Sequence, residues 1–199
     1  MTVPSRPPGG PPVEDQARRQ TALLRLITAI AAADAEPEIC RALAHGLHDA
    51  DLGYDFVAVL VVDEATGDRV LVASRGWDGA TEGMRVRPGQ GLSERPLLDG
   101  RLHYTPQVTQ DTRYILTRNE GSEVDIPLLV NRKLVGVLVV ESNRPQAFLP
   151  DDFELLRAAA NHSGIAIGRA RLLASERQRA NEQEALRATM ADLAARHEL

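Results

Sequence analysis

Ser122–Val130 reads Ser-Glu-Val-Asp-Ile-Pro-Leu-Leu-Val, and Leu134–Glu141 reads Leu-Val-Gly-Val-Leu-Val-Val-Glu, with Asn131-Arg132-Lys133 between them. Apolar and β-branched residues dominate both runs, and each run is strand-sized. A short polar link between two such runs predicts a β-hairpin. Pro127 has no backbone donor, which places it at an edge or a bulge. An earlier stretch repeats the pattern. Phe56–Val62 is continuously apolar, so it reads as a strand buried on nearly both faces. Asp63–Asp68 supplies turn residues, and Arg69–Ser74 returns as a second strand. Two hairpins of this kind predict an antiparallel sheet.

The segments around the hairpins read differently. From about Glu14 to Ala33, Leu23, Leu24, Ile27, Ile30 and Ala31 recur at spacings of three and four, which predicts an amphipathic helix. Asp34–Pro37 interrupts it. A second helix follows, with Ile39, Leu43, Leu47 and His48 on one face, and stops near Gly53. Between the hairpins, Gly76–Gly91 is irregular and Leu92–Asp99 forms a short helical stretch ended by Gly100. Leu102–Thr105 is a short strand, and Pro106–Glu120 is a long polar loop of the sort that carries function. Asp151 and Asp152 suit the start of a final helix. That helix runs to the end of the chain, roughly 70 Å at 1.5 Å per residue. A domain of this size covers only part of it, so the outer half needs another partner. Ile165, Leu172, Arg179, Leu186 and Leu193 fall at a seven-residue period, with Gln183 and Met190 in the companion column. This predicts a short parallel coiled coil.

Composition bounds the function. The 199 residues suffice for one domain and an appendage. Met1–Pro12 holds five Pro and two Gly, so residues 1–13 are expected to be a disordered tail. The net charge of −5 argues against nucleic-acid and anionic-membrane partners. No apolar run reaches the ~20 residues of a membrane span, and no signal peptide stands at the N-terminus. Cys40 is the single cysteine. It excludes an internal disulfide or a cysteine-rich metal site and fits a reducing cytoplasm. His45, His48, His162 and His197 lie on helices without metal-like partners. No hydrolase, phosphate-loop or zinc motif is present. No metal site and no catalytic residue are expected.

Five local patterns, in order, resemble the GAF domain family over about residues 20–172. Gly89-Gln90-Gly91-Leu92 is similar to the family turn that opens a short helix. Val108-Thr109-Gln110-Asp111-Thr112-Arg113-Tyr114 resembles its D-V-x-x-D-x-R-Y loop, with Gln107 where the first Asp would stand. Gly121–Leu128 and Leu134–Ser142 resemble the two strands of the family hairpin. Ala147-Phe148-Leu149-Pro150-Asp151-Asp152 resembles its entry into the last helix.

The resemblance implies an α+β fold: an antiparallel sheet of five to six strands, terminal helices on one face, and a ligand pocket on the other. Residues 14–172 would form that domain. Residues 173–199 would form a signalling helix leading to an output domain absent from this chain. The implied pocket lies between the sheet and Gly76–Glu120, with Trp77, Leu92, Tyr104, Asp111, Tyr114, Ser122 and Glu123 as candidate contacts. Asp111 and Arg113 read as a brace within the loop ahead of a ligand contact. The expected function is a bacterial cytoplasmic sensor that binds a small molecule of unknown identity as a homodimer. Two alternatives remain: a ligand-free dimerisation spacer, and a redox enzyme of the same fold. A cyclic-nucleotide signature is missing, Cys40 is misplaced for covalent bilin attachment, and one thiol cannot complete a sulfoxide-reductase cycle. His103 is the one histidine on the pocket side and reads as a strand residue.

Overall fold

The computed structural model describes residues 12–49, 51–77, 81–115 and 120–197. The expected disordered tail lies outside these residues, except for Pro12 and Val13, which already belong to the first helix. Two helices, α1 (Pro12–Ala32) and α2 (Glu36–His48), precede the sheet. The strands are β1 (Phe56–Val62), β2 (Arg69–Arg75), β3 (Arg85–Val86), β4 (His103–Thr105), β5 (Ser122–Val130) and β6 (Lys133–Ser142). A short helix, α3 (Arg95–Asp99), follows a single 3-10 turn at Leu92–Glu94. The chain closes with α4 (Pro150–His197), 48 residues long.

The six strands form one antiparallel sheet in the order β3-β2-β1-β6-β5-β4. The central pair, β1 and β6, is the most apolar, as continuous burial requires. β3 falls where the sequence looked irregular. Two residues are too few to show a period. Lys133 joins β6, so the hairpin turn shrinks to Asn131 and Arg132, both at positive φ (50° and 65°). That is the backbone a tight two-residue hairpin needs. Pro127 sits beyond the β4 pairing, and the β5–β6 register shifts at Leu128/Leu129.

One sheet face meets the helices. Val57, Val59, Val124, Leu128, Leu138 and Val140 pack there against Leu43 and Leu47 of α2 and Leu156 and Ile167 of α4. Glycine sets how closely backbones approach. A Cβ on Gly136 would run into the Leu60 carbonyl oxygen of β1, and one on Gly164 into the Leu129 carbonyl oxygen of β5. The second contact seats α4 directly on the hairpin.

Asp152 fixes the start of α4. Its Oδ2 accepts the Leu149 backbone N–H at 2.8 Å, closing the first turn. Its Oδ1 accepts from Tyr54 Oη at 2.9 Å and from Arg19 at 2.5 Å, so one buried carboxylate ties α1, the approach to β1 and α4 together. Phe148 stacks on Tyr54, with ring centroids 6.0 Å apart, and meets Tyr104 edge-on. Beyond about residue 174, α4 leaves the domain and its described side chains are exposed. No helix among the described residues is long and apolar enough to cross a membrane.

Candidate ligand cavity

The second sheet face carries a smaller apolar cluster. Ala58 and Leu60 of β1, Leu71 of β2, and Val137 and Val139 of β6 form it, with Trp77, Val86 and Leu97 packed against them. The described residues between β2 and β5 roof this face without filling it. A cavity of about 100 Å³ remains. Its floor is Leu60, Leu71 and Val139. Trp77, Met84 and Val86 close one side, and Leu92, Tyr114 and Ile115 come from the roof. Glu123 and Glu141 form its polar end.

The roof is pinned from inside by Arg69, the first residue of β2 and fully buried. Its guanidinium donates to the carbonyl oxygens of Arg87 (2.9 Å) and Gln90 (2.5 Å) and to Ser93 Oγ (3.2 Å), and it pairs with Glu94 at 3.0 Å. Arg95 continues the bracing, donating to Thr105 Oγ1 at 2.9 Å and pairing with Asp111.

Four of the seven residues expected at the pocket line this cavity: Trp77, Leu92, Tyr114 and Glu123. Three stand elsewhere. Tyr104 is paired with Val124 across β4–β5, and that register turns it to the helix face, where it packs on Phe148 and Phe153. Ser122 Oγ donates to the Arg144 carbonyl at 2.8 Å and accepts the Ala147 N–H at 3.2 Å, holding the approach to α4. Asp111 accepts from Arg95 and from both the backbone and the side chain of Arg113, and so braces the loop. Those ion pairs hold its carboxyl below the ordinary range, chiefly through Arg113.

Two buried acids escaped the sequence reading: Glu141, which lines the cavity, and Asp125, which does not. Glu123 and Asp125 are two apart on β5, so both face the roof side, and Glu123 stands directly opposite Glu141 of β6. All three are buried. Burial, followed by the charges of Asp125 and Glu141, pushes Glu123 well above the usual carboxylate range. Burial also pushes Asp125 up to about 7; Glu141 adds to this, and hydrogen bonding to Glu123 and the charges of Arg95 and Arg69 oppose it. Apart from Glu123, neither oxygen of Asp125 has a hydrogen-bond partner among the described residues, and Trp77 Nε1 at the cavity side has none. The missed signal was two acids at alternate positions of an apolar strand.

Cys40 lies across the sheet from the cavity, in the helix-side core. Burial, reinforced by Glu36, pushes its thiol up to about 12, so the reactive thiolate is suppressed. His103 pairs with Asp99 at 3.0 Å. No group of three metal-ligating side chains occurs among the described residues.

With this geometry in place, the comparisons with known proteins agree. A family model described as GAF domain matches residues 33–168. The fold is similar to the GAF domain of a phosphoenolpyruvate-protein phosphotransferase from Acinetobacter, with TM-score 0.69 and 20% identity over 77% of this chain and 95% of that one. It is similar to residues 122 to 287 of a methyl-accepting chemotaxis protein, with TM-score 0.64 and 23% identity over 76% and 99%. It is also similar to free methionine-R-sulfoxide reductase from Neisseria meningitidis in complex with its substrate, with TM-score 0.72 and 18% identity over 86% and 99%. At these identities the likeness is one of fold. No curated protein matches the chain by sequence.

Proposed function

The chain belongs to the GAF domain family, and we propose that it is a regulatory sensor module of a bacterial, cytoplasmic signalling protein. A small molecule binds between Trp77, Leu92, Tyr114 and Glu123. Asp111, Tyr104 and Ser122 support the site rather than touch the ligand. Residues 14–172 form the sensing domain, and 173–199 form a helix that relays the signal as a homodimer to an output domain. One observation carries this reading. The cavity's acidic edge stands on β5 and β6; α4 is seated on β5 at Leu129 and Val130 and follows β6 in the chain. A change of packing around Glu123 or Glu141 therefore has a short mechanical path to the helix. A helix pair with two packings is a bistable element of the kind such relays use.

The dimer rests on the exposed apolar stripe of α4. Ile165, Leu172 and Leu186 are 70%, 59% and 62% exposed, and they recur at multiples of seven. Apolar residues at that period on a bare helix favour a second helix beside it. Sedimentation equilibrium checks this. We expect a dimer that Leu172→Glu with Leu186→Glu converts to monomer without loss of the domain's thermal transition. A chain that is monomeric at high concentration would sink the relay.

A purely structural spacer is disfavoured because the cavity is open and carries the carboxyl groups of Glu123 and Glu141, where a spacer would fill it with apolar side chains. Thiol-based reduction is disfavoured by Cys40, which sits on the wrong sheet face with a suppressed thiolate. Native mass spectrometry of the purified chain tests the central claim: a retained small mass on the dimer is the expected result.

A further inference from the structure

We propose that the cavity takes an uncharged, compact apolar molecule, seated on Leu60, Leu71, Leu92 and Val139 and covering Met84 and Ile115 at the opening. The inference deepens the ligand-binding reading above and rests on it, since it names the class of ligand for that same cavity.

The polar groups of the wall are already engaged within the chain. Side-chain nitrogen and oxygen atoms reach the described wall from Trp77, Ser93, Tyr114, Glu123 and Glu141. Ser93 Oγ accepts from Arg69 at 3.2 Å. Tyr114 Oη donates to Glu141 Oε2 at 3.5 Å, and Glu123 is hydrogen-bonded to both Asp125 and Glu141. The nearest cations are occupied as well. Arg69 is held by the Arg87 and Gln90 carbonyls and Glu94, and Arg95 by Thr105 and Asp111. The Trp77 indole N–H has no partner, but it is uncharged and shielded from solvent. An anion in the cavity would face Glu123 and Glu141. A cation would have to displace the bonds that already hold those two acids. Either ion would give up its water shell without gaining a free counter-charge, which is costly.

The apolar groups are the ones left with something to gain. Leu60, Leu71 and Val139 form a buried floor with space above it. Met84 and Ile115 are a second, separate observation. Both line the cavity, yet they are 46% and 50% exposed, so they stand at its opening with large apolar side chains half in water. An apolar occupant removes that surface from water, and the gain grows with the area covered. The volume of about 100 Å³ limits its size. A dry cavity of about 150 Å³ accommodates benzene, so a body of about five carbon atoms fits here.

Trp77 is the single tryptophan of the chain and lines the cavity, so its fluorescence reports occupancy directly. The test titrates the full chain with three probes on one ring: cyclopentanol, cyclopentylamine and cyclopentanecarboxylate. The polar group sits directly on each ring, so a charge cannot trail far from the apolar body. We expect a saturable change with cyclopentanol, and binding at least about tenfold weaker for the amine and the carboxylate. Val139→Phe enlarges a floor residue into the cavity and should weaken cyclopentanol by about tenfold or more, with Val139→Met as a milder second variant if the first loses its thermal transition. Equal or tighter binding of either ion overturns the uncharged assignment while the cavity remains a binding site. Cyclopentanol binding indifferent to the filling variant puts the probe outside the cavity and also overturns the assignment. Silence from all three probes, in fluorescence and in the NMR shift of the Trp77 indole N–H, overturns both readings.

Discussion

The two faces of the sheet are built to opposite rules. The helix face buries Val57, Val124, Leu128 and Val140 against Leu43, Leu156 and Ile167, and its chief buried acid, Asp152, has every oxygen occupied. The roof face buries Arg69, Glu123, Asp125 and Glu141 beside a cavity, and among the described residues it leaves Asp125 with Glu123 alone as a hydrogen-bond partner and Trp77 Nε1 with none. Each large aliphatic side chain on the helix face contributes about 1.5–3 kcal/mol by leaving water. An unsatisfied buried polar group costs about 1–3 kcal/mol. One face therefore holds the fold together, and the other spends stability on a site.

The difference predicts which substitutions hurt. Gly164→Leu should do the most damage. Its side chain would enter the Leu129 carbonyl, lifting α4 off β5, and the loss should exceed about 4 kcal/mol, read as a collapsed thermal transition by circular dichroism. Asp152→Asn comes next, at about 2–4 kcal/mol, because the partly buried Arg19 and Tyr54 lose the carboxylate they share and the first turn of α4 is weakened. A loss below about 0.5 kcal/mol would show that the helix face does not depend on this junction.

How much of this could be read from sequence follows from what each signal encodes. β1, β5, β6 and the span of α4 were legible because long apolar runs and capped helices carry their own period. β3 was not, since Arg85–Val86 is made a strand only by its neighbour β2. Trp77, Leu92, Tyr114 and Glu123 were found through family motifs and loop position. Tyr104 was misplaced because a three-residue strand does not reveal which residues face which way; only the pairing with Val124 decides it. Ser122 read as a ligand contact, and Asp111 as a contact or a brace; in the structure both act as braces. Asp125 and Glu141 were missed because an acid in a strand looks solvent-facing until the sheet order buries it. Arg69 was missed for the same reason.

The smallest expected effect is the sharpest, because its sign is reversed. Asp125→Asn should stabilise the chain, where the equivalent loss of charge at Asp152 destabilises it. The Asp125 carboxyl titrates near 7 in the fold, chiefly from burial, against an ordinary value of 3.8. Between those values the native state holds a proton that the unfolded chain releases, so this group's contribution falls as pH rises from about 4 to about 7 and is level above that. Facing it are Glu123 on its own strand, Glu141 from β6, Arg69 from β2, Arg95 from α3, and His103 across β4. The two arginines limit the penalty, and Glu141 enlarges it. Asparagine removes it and can donate to Glu123. The gain in Tm over the native chain should therefore be near zero at pH 4.5 and reach about 5 °C at pH 8, followed by differential scanning fluorimetry across that range. A gain that is flat with pH, or a loss at pH 8, would mean that the buried acids of the roof face are as well satisfied as those of the helix face. The contrast between the faces would then be one of composition and not of energy.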